Sequence, residues 1–175
     1  AFEVLSSQDF KIKDQQKIIL ISQLSKAIGI EGMALGQSLD MESSNKKIDV
    51  RLLEEMQKNK TGKLIHASCV MPYSISKSFN LSIESTISKL AFQIGQLYQI
   101  VDDILDNSSS SECLGKTSGK DQKAKKATYV NIVGIPESKK IKDNLYSNIK
   151  KLIGKIPGNT QPLIYLADKI YSREY

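Results

Sequence analysis

Apolar positions recur at helical spacing along almost the whole chain. Between Asp14 and Ile28, Ile18, Ile19, Ile21, Leu24 and Ala27 make a broad stripe, and Gly29 follows as a helix stop. A second helix is predicted over about Glu31 to Met41, before Asn45-Lys46-Lys47 breaks the pattern. Asp49 is placed to cap a third, with Leu52, Leu53, Met56, Leu64, Ile65 and Ala67 as its apolar side. Gly62 inside that helix costs about 1 kcal/mol relative to alanine, so something local should favour it. Pro72 should end or kink the helix near Met71. The longest stripe runs from Leu81 to Asp106, through Ile83, Ile87, Leu90, Ala91, Ile94, Leu97, Tyr98, Val101, Ile104 and Leu105. Ser108 to Ser111 reads as a polar loop. Lys116 to Lys126, basic and poor in apolar residues, reads as a functional loop or lid. A short helix over Thr128 to Val133 is followed by helices over Glu137 to Ile153 and Gln161 to Ser172, parted by Pro157-Gly158-Asn159. No strand pattern and no internal repeat stand out, so the fold class is all-α.

Composition adds the scale. The 175 residues, 40% hydrophobic and 25% charged, suit one globular domain with a sizeable core. Cys69 and Cys113 stand alone, which fits a reduced, cytoplasmic setting better than a disulfide scaffold. No apolar run approaches the ~20 residues of a membrane span, so no stable membrane insertion is expected. Ala1-Phe2-Glu3 shows neither a signal core nor a starting Met. The net charge of +6 draws phosphate-bearing partners. With only two arginines, Arg51 and Arg173, and no basic-aromatic interleaving, nucleic acid is not among the expected partners.

The chemistry concentrates at the end of the longest stripe. In Gln99-Ile100-Val101-Asp102-Asp103-Ile104-Leu105-Asp106 the glutamine and three aspartates fall within an arc of about 100° on one helix face. Two carboxylates about 6 Å apart repel by roughly 3 kcal/mol at an effective dielectric of about 20. Such a cluster facing a cleft wants a cation. Oxygen ligands without His or Cys suit a hard ion such as Mg²⁺. Three further segments stand out. Gly36-Gln37-Ser38-Leu39-Asp40 puts Gln37 and Asp40 three apart on a helix. Lys60-Thr61-Gly62-Lys63 is the second. Gly115-Lys116-Thr117-Ser118-Gly119-Lys120-Asp121, followed by Lys126-Ala127-Thr128-Tyr129, is the third. Taken singly, each reads equally as a solvated face or a connector. Gly115-Lys116-Thr117 is not a P-loop, because Ser110 stands where the first glycine must be and no strand precedes it. His66 and Cys69 share a helix face, but two ligands do not make a zinc site.

Together, in this order and spacing, these motifs resemble the trans-prenyl diphosphate synthases, in particular bacterial farnesyl and geranyl diphosphate synthases. The resemblance runs from Gly32-Met33 to Leu166-Ala167-Asp168. It implies a helical bundle of the isoprenoid synthase type and Mg²⁺ as cofactor. The implied substrates are an allylic diphosphate and isopentenyl diphosphate, joined head to tail, with farnesyl diphosphate the favoured product. It implies that Asp102 binds Mg²⁺ directly, with Asp103 and Asp106 in or near its shell. Lys60 and Lys116 would hold the allylic diphosphate, and Thr61 and Gln99 would sit near the carbon–oxygen bond that breaks. Asp121 and Lys126 would organise the closing loop. Gln37 and Asp40 would line the same cleft, Asp40 as an outer-shell group of the metal.

The chain also departs from that family. The family carries two aspartate-rich motifs, and only one occurs here; Glu54-Glu55, the other adjacent acid pair, is in the wrong place. Its upstream basic residues for isopentenyl diphosphate are missing. Tyr98 stands where Phe is usual and Val130 where Pro is common. Residues 1–175 are therefore expected to be the C-terminal part of a polyprenyl synthase domain, an incomplete bundle lacking N-terminal helices. Such a piece should expose an apolar face and cover it as a homodimer or helix-exchanged oligomer. Alone it should show little synthase activity. The alternative is a non-catalytic, shortened homologue serving as partner or regulatory subunit of a full-length synthase.

Overall fold

Eight helices and one π-turn carry the described residues of the computed structural model. Its described backbone covers residues 1–113 and 127–174, with side chains for all of these except 108–113. The helices are α1 (Phe2–Ser6), α2 (Asp14–Ile28), α3 (Met33–Ser43), α4 (Val50–Gln57), α5 (Lys63–Ser74), α6 (Leu81–Cys113), α7 (Tyr129–Ile153) and α8 (Gln161–Tyr171), and the π-turn is Lys58–Gly62. No strand occurs among the described residues.

Local chemistry sets several of the boundaries. The Gln16 side chain accepts from the Lys13 backbone N–H at the start of α2. The Asp49 carboxylate accepts from Leu52 N at 2.8 Å, the expected cap of α4. Thr128 Oγ1 accepts from Asn131 N at 3.1 Å and starts α7. That helix joins the two predicted segments across a kink at Gly134, where φ is +82°, just ahead of Pro136. Ser138 Oγ donates to the Gly134 carbonyl at 2.8 Å and secures the bend.

Four boundaries differ from the sequence reading. The short helix α1 was not anticipated. The third predicted helix is α4 and α5 joined through the π-turn, not one regular helix. Pro72 lies within α5, which runs on to Ser74. The backbone of 108–111 is helical and continues α6, so the predicted polar loop is corrected to a helix end. Four serines in a row carry no apolar signal to extend the stripe, which is why the pattern ended early.

The core surrounds α6. Leu90, Ile94, Leu97, Ile100 and Val101 pack with Leu53 and Met56 of α4, Tyr129, Leu145, Ile149 and Ile153 of α7, and Ala167 of α8. The partner of α2 is α5, and Leu20, Leu24 and Ala27 are buried on α2. Ile18, Ile19, Ile30 and Met41 stay exposed along α2, α3 and their connection. By length and composition alone, Asp14–Ser43 is apolar enough to cross a membrane, a stretch the sequence reading passed over. Residues 29–32 break it into two helices.

Candidate active site

The site is organised by close backbone approaches at the π-turn. A Cβ on Gly36 of α3 would lie 2.1 Å from Lys60 N, and one on Gly95 of α6 would lie 3.2 Å from the Gly62 Cα. The turn is therefore wedged between α3 and α6. The Gly62 position is explained the same way: a Cβ there would meet the Phe92 ring at 3.3 Å. At 100° per residue, Asp102 and Asp106 each project from α6 within about 20° of the Gly95 direction, and Asp102 lies about 10 Å further along the axis. The turn bearing Lys60 and Thr61 thus packs on the same helix face that carries Asp102 and Asp106. A π-turn inserts one residue into a helix and re-aims those that follow, a device frequent at functional sites.

Lys60 Nζ pairs with Asp40 Oδ2 at 2.6 Å. This joins two of the sequence-derived motifs directly. Gln37 lies exposed on the same helix as Asp40. Thr61 and Gln99 are half-buried. Asp102 Oδ1 accepts from Arg173 Nη1 at 3.2 Å, and the Arg173 guanidinium lies over the Tyr98 ring at 5.3 Å. The segment just after α8 is thereby brought to the aspartate face. Lys116, Asp121 and Lys126 lie outside the described residues.

The three aspartates do not share one environment. Asp106 is exposed and Asp102 half-buried. Asp103 turns inward, where its Oδ2 accepts from Tyr129 N at 2.9 Å and from Gln57 Nε2 at 3.4 Å. Burial raises its pKa to about 6, opposed by the hydrogen bonds from Tyr129 and Gln57 and reinforced by neighbouring Asp102 and Asp106. The expectation of three carboxylates facing one cleft is corrected to two. An offset of one residue rotates a side chain by about 100°, enough to send Asp103 to the α7 side.

Among the described residues no three acidic, His or Cys side chains converge as a metal cage. Two outward carboxylates nevertheless fit Mg²⁺, which commonly takes one or two carboxylates and fills its octahedron with water and phosphate oxygens. Asp102 and Asp106 would hold it. His66 takes no part: Nε2 lies 2.8 Å from Ser88 Oγ and the ring stacks on Phe92. Burial first, then Lys63 and Lys58, hold its pKa below the usual histidine value.

The sequence reading missed a buried polar group behind the site. Tyr129 is fully buried, and its hydroxyl accepts from Gln96 Nε2 at 2.9 Å and donates to Glu54 Oε1 at 3.4 Å. Gln96 Nε2 also donates to Glu54 Oε1 at 3.1 Å. Burial, more than the Glu54 charge, holds the tyrosine hydroxyl well above its ordinary pKa. A polar tip at the start of an otherwise apolar helix, beside Thr128, was the available signal.

This all-helical site defines a class. The sequence model of the polyprenyl synthetase family matches residues 1–157. The chain belongs to that family and has its all-α isoprenoid synthase fold. It is 38% identical, over its full length, to a dimethylallyltranstransferase of Fischerella ambigua, covering 51% of that protein. It is 36% identical to the farnesyl diphosphate synthase of Haemophilus influenzae, over 91% of this chain and 54% of that one. Among solved structures, the geranyltransferase of Helicobacter pylori complexed with magnesium and isoprenyl diphosphate superposes with a TM-score of 0.74 at 27% identity, over 97% of this chain and 53% of that one. The chain thus spans about half the length of the curated relatives it matches.

Proposed function

We propose that this chain carries the diphosphate-handling part of a prenyltransferase that condenses an allylic diphosphate with isopentenyl diphosphate head to tail. The observation that carries this reading is the packing of the Lys60 turn, through Gly62 on Gly95, against the α6 face that bears Asp102 and Asp106. That arrangement packs the turn bearing Lys60 on the helix face that carries the two carboxylates, with the Lys60 amine on Asp40. Asp102 and Asp106 would hold the ion and Lys60 would meet phosphate oxygens, so that a bound diphosphate would be neutralised from both sides.

The reaction asks little else of the protein. The allylic carbon–oxygen bond breaks and its electron pair leaves with diphosphate. The isopentenyl double bond attacks the allylic carbon, and loss of a proton completes the new alkene. Mg²⁺, when bound, neutralises the leaving diphosphate and lowers the barrier to its departure. Lys60 would add a second positive charge, and half-buried Thr61 and Gln99 would supply dipoles to the electron-poor allylic carbon. The reaction also needs apolar walls to keep water from the cation. Lys116 and Lys126 supply further diphosphate contacts in this reading. Farnesyl diphosphate is the favoured product, supported by the name of the Haemophilus relative.

One aspartate-rich motif offers half the metal ligands of such a reaction, so this chain alone should bind diphosphate without efficient turnover. Exposed Ile18, Ile19, Ile30 and Met41 suit coverage by a second copy or exchanged helices, which light scattering would report as a species larger than the monomer.

The test is Mg²⁺-dependent binding of inorganic pyrophosphate, followed calorimetrically. Binding that requires Mg²⁺ and is lost in Asp102→Ala supports the reading. Absence of binding, or binding indifferent to Asp102, overturns it.

A further inference from the structure

The hydrogen bonds of Tyr129 reach neither carboxylate of the metal face nor the Lys60 amine, yet they tie together α4, which leads into the Lys60 turn, and α6, which carries the aspartates. The Tyr129 hydroxyl meets Glu54 on α4 and Gln96 on α6. Its backbone N–H meets Asp103, one residue beyond Asp102 on α6. Gln57, the last residue of α4 and the one before the π-turn, donates to the same Asp103 oxygen. Gln96 and Asp103 are seven residues apart, about two helical turns, on the side of α6 that faces α4 and α7. One residue of α7 therefore grips α6 at two heights and α4 just ahead of the turn bearing Lys60.

The network is shaped for geometry more than for satisfaction. Gln57 is 7% exposed, and its Oε1 is buried with no hydrogen-bond partner. A leucine would fill such a position without an orphaned acceptor. Glu54 Oε1 receives two donors at once, from Gln96 and Tyr129, which fixes its side chain and the α4 turn it stands on. These hydrogen bonds tie α4 to α6 and α7 at one carboxylate.

We propose that Tyr129 is a positioning residue for the diphosphate site. Through Glu54 and Gln96 it sets the height of the Lys60 turn, and through Asp103 it sets the rotation of the Asp102–Asp106 face. Together these fix the gap that one Mg²⁺–diphosphate unit spans. This inference rests on the reading under Proposed function. It adds that the gap is set from the opposite side of α6, by a group that contacts no ligand.

The experiment measures the coupling between Mg²⁺ and pyrophosphate in the full chain, as the ratio of pyrophosphate affinities with and without the ion. A residue that only stabilises the fold changes the melting temperature and leaves this ratio alone in folded protein. In wild type we expect Mg²⁺ to tighten pyrophosphate binding by about tenfold or more, and Tyr129→Phe to cut that coupling to about threefold or less. Glu54→Gln keeps an acceptor for both donors and should retain the wild-type ratio. Gln96→Met removes the donor from the α6 side, should mimic Tyr129→Phe, and decides the matter if the latter fails to fold. Wild-type coupling in Tyr129→Phe or Gln96→Met overturns the inference while leaving the functional reading intact. A wild-type chain without Mg²⁺-dependent binding overturns both.

Discussion

Gly62 and Gly95 touch backbone to backbone: a methyl group on Gly95 would reach within 3.2 Å of the Gly62 Cα. A parallel approach on the other side is tighter still, with a Cβ on Gly36 falling 2.1 Å from Lys60 N. These two contacts convert a bland sequence feature, glycine in helices, into the reason that the turn bearing Lys60 packs between α3 and the α6 face that carries Asp102.

The tighter contact gives the first prediction. Gly36→Ala must push α3 away from the π-turn and should destabilise the chain by about 1–3 kcal/mol, despite the better helix propensity of alanine. It should also separate Asp40 from Lys60 and weaken pyrophosphate binding. Gly95→Ala, with a few tenths of an ångström to find, should cost less. Thermal melts of the two variants check the order; a more stable Gly36→Ala would contradict the close approach.

The Lys60–Asp40 pair should matter for binding and hardly for folding. Both side chains are about a third exposed, at 36% and 27%, where an ion pair contributes roughly 0–1 kcal/mol. Lys60→Met should therefore shift the denaturation midpoint little while reducing Mg²⁺-dependent pyrophosphate affinity by about tenfold or more, the range for a lost charge-assisted contact. Urea melts and calorimetry on the same preparation separate the two effects.

Asp103 predicts a pH dependence whose sign runs against the usual carboxylate. Its pKa is raised from 3.8 unfolded to about 6 folded. Between those values the native chain holds a proton that the unfolded chain has shed. The stabilisation is complete below pH 3.8 and is lost as the pH climbs through 6. The amount is about 3 kcal/mol at most, from 1.36 kcal/mol per unit. Asp103→Asn cannot ionise, so its stability relative to wild type should rise between pH 4 and pH 8, measured by denaturant unfolding in chelator. A constant difference would contradict the buried placement of this carboxyl.

At the far end of the bundle, Tyr146 Oη donates to Asp168 at 2.5 Å, and the Tyr146 and Tyr171 rings stack at 4.1 Å. Asp168→Ala should loosen α8 from α7 and cost about 1 kcal/mol, the usual net value of a hydrogen bond partly open to water. Arg173 follows directly on α8, so Asp102 should also lose part of its contact with Arg173. Amide exchange across α8 reports the loosening; unchanged protection there would count against the staple.

The legible part of the fold was what hydrophobic period encodes. The bounds of Asp14–Ile28 matched, but of its predicted stripe only Leu24 and Ala27 are buried, with Leu20 in place of the exposed Ile18 and Ile19. The kink at Gly134 falls in the gap left between the helices read as ending at Val133 and starting at Glu137. The π-turn was not visible, because one inserted residue leaves the stripes on either side intact and only shifts their phase. Gly62 was the trace it left. The site was legible as a set of motifs but not as geometry. Offsets of one and four put the aspartates on one broad arc, whereas the choice between cleft and core for Asp103 depends on Tyr129, a residue 26 positions later. Tyr129 itself stood inside a recognised motif with no charge to mark it.

The central claim is that Lys60 and Asp102 hold the same ligand from two elements of one wall. The most direct measurement is a double-mutant cycle, Lys60→Met and Asp102→Asn, on the free energy of Mg²⁺-dependent pyrophosphate binding. The account predicts non-additive losses, with a coupling energy of about 1 kcal/mol or more, as for groups in one shared network. Losses that add to within about 0.3 kcal/mol would mean the two side chains act independently, and the shared site would be contradicted.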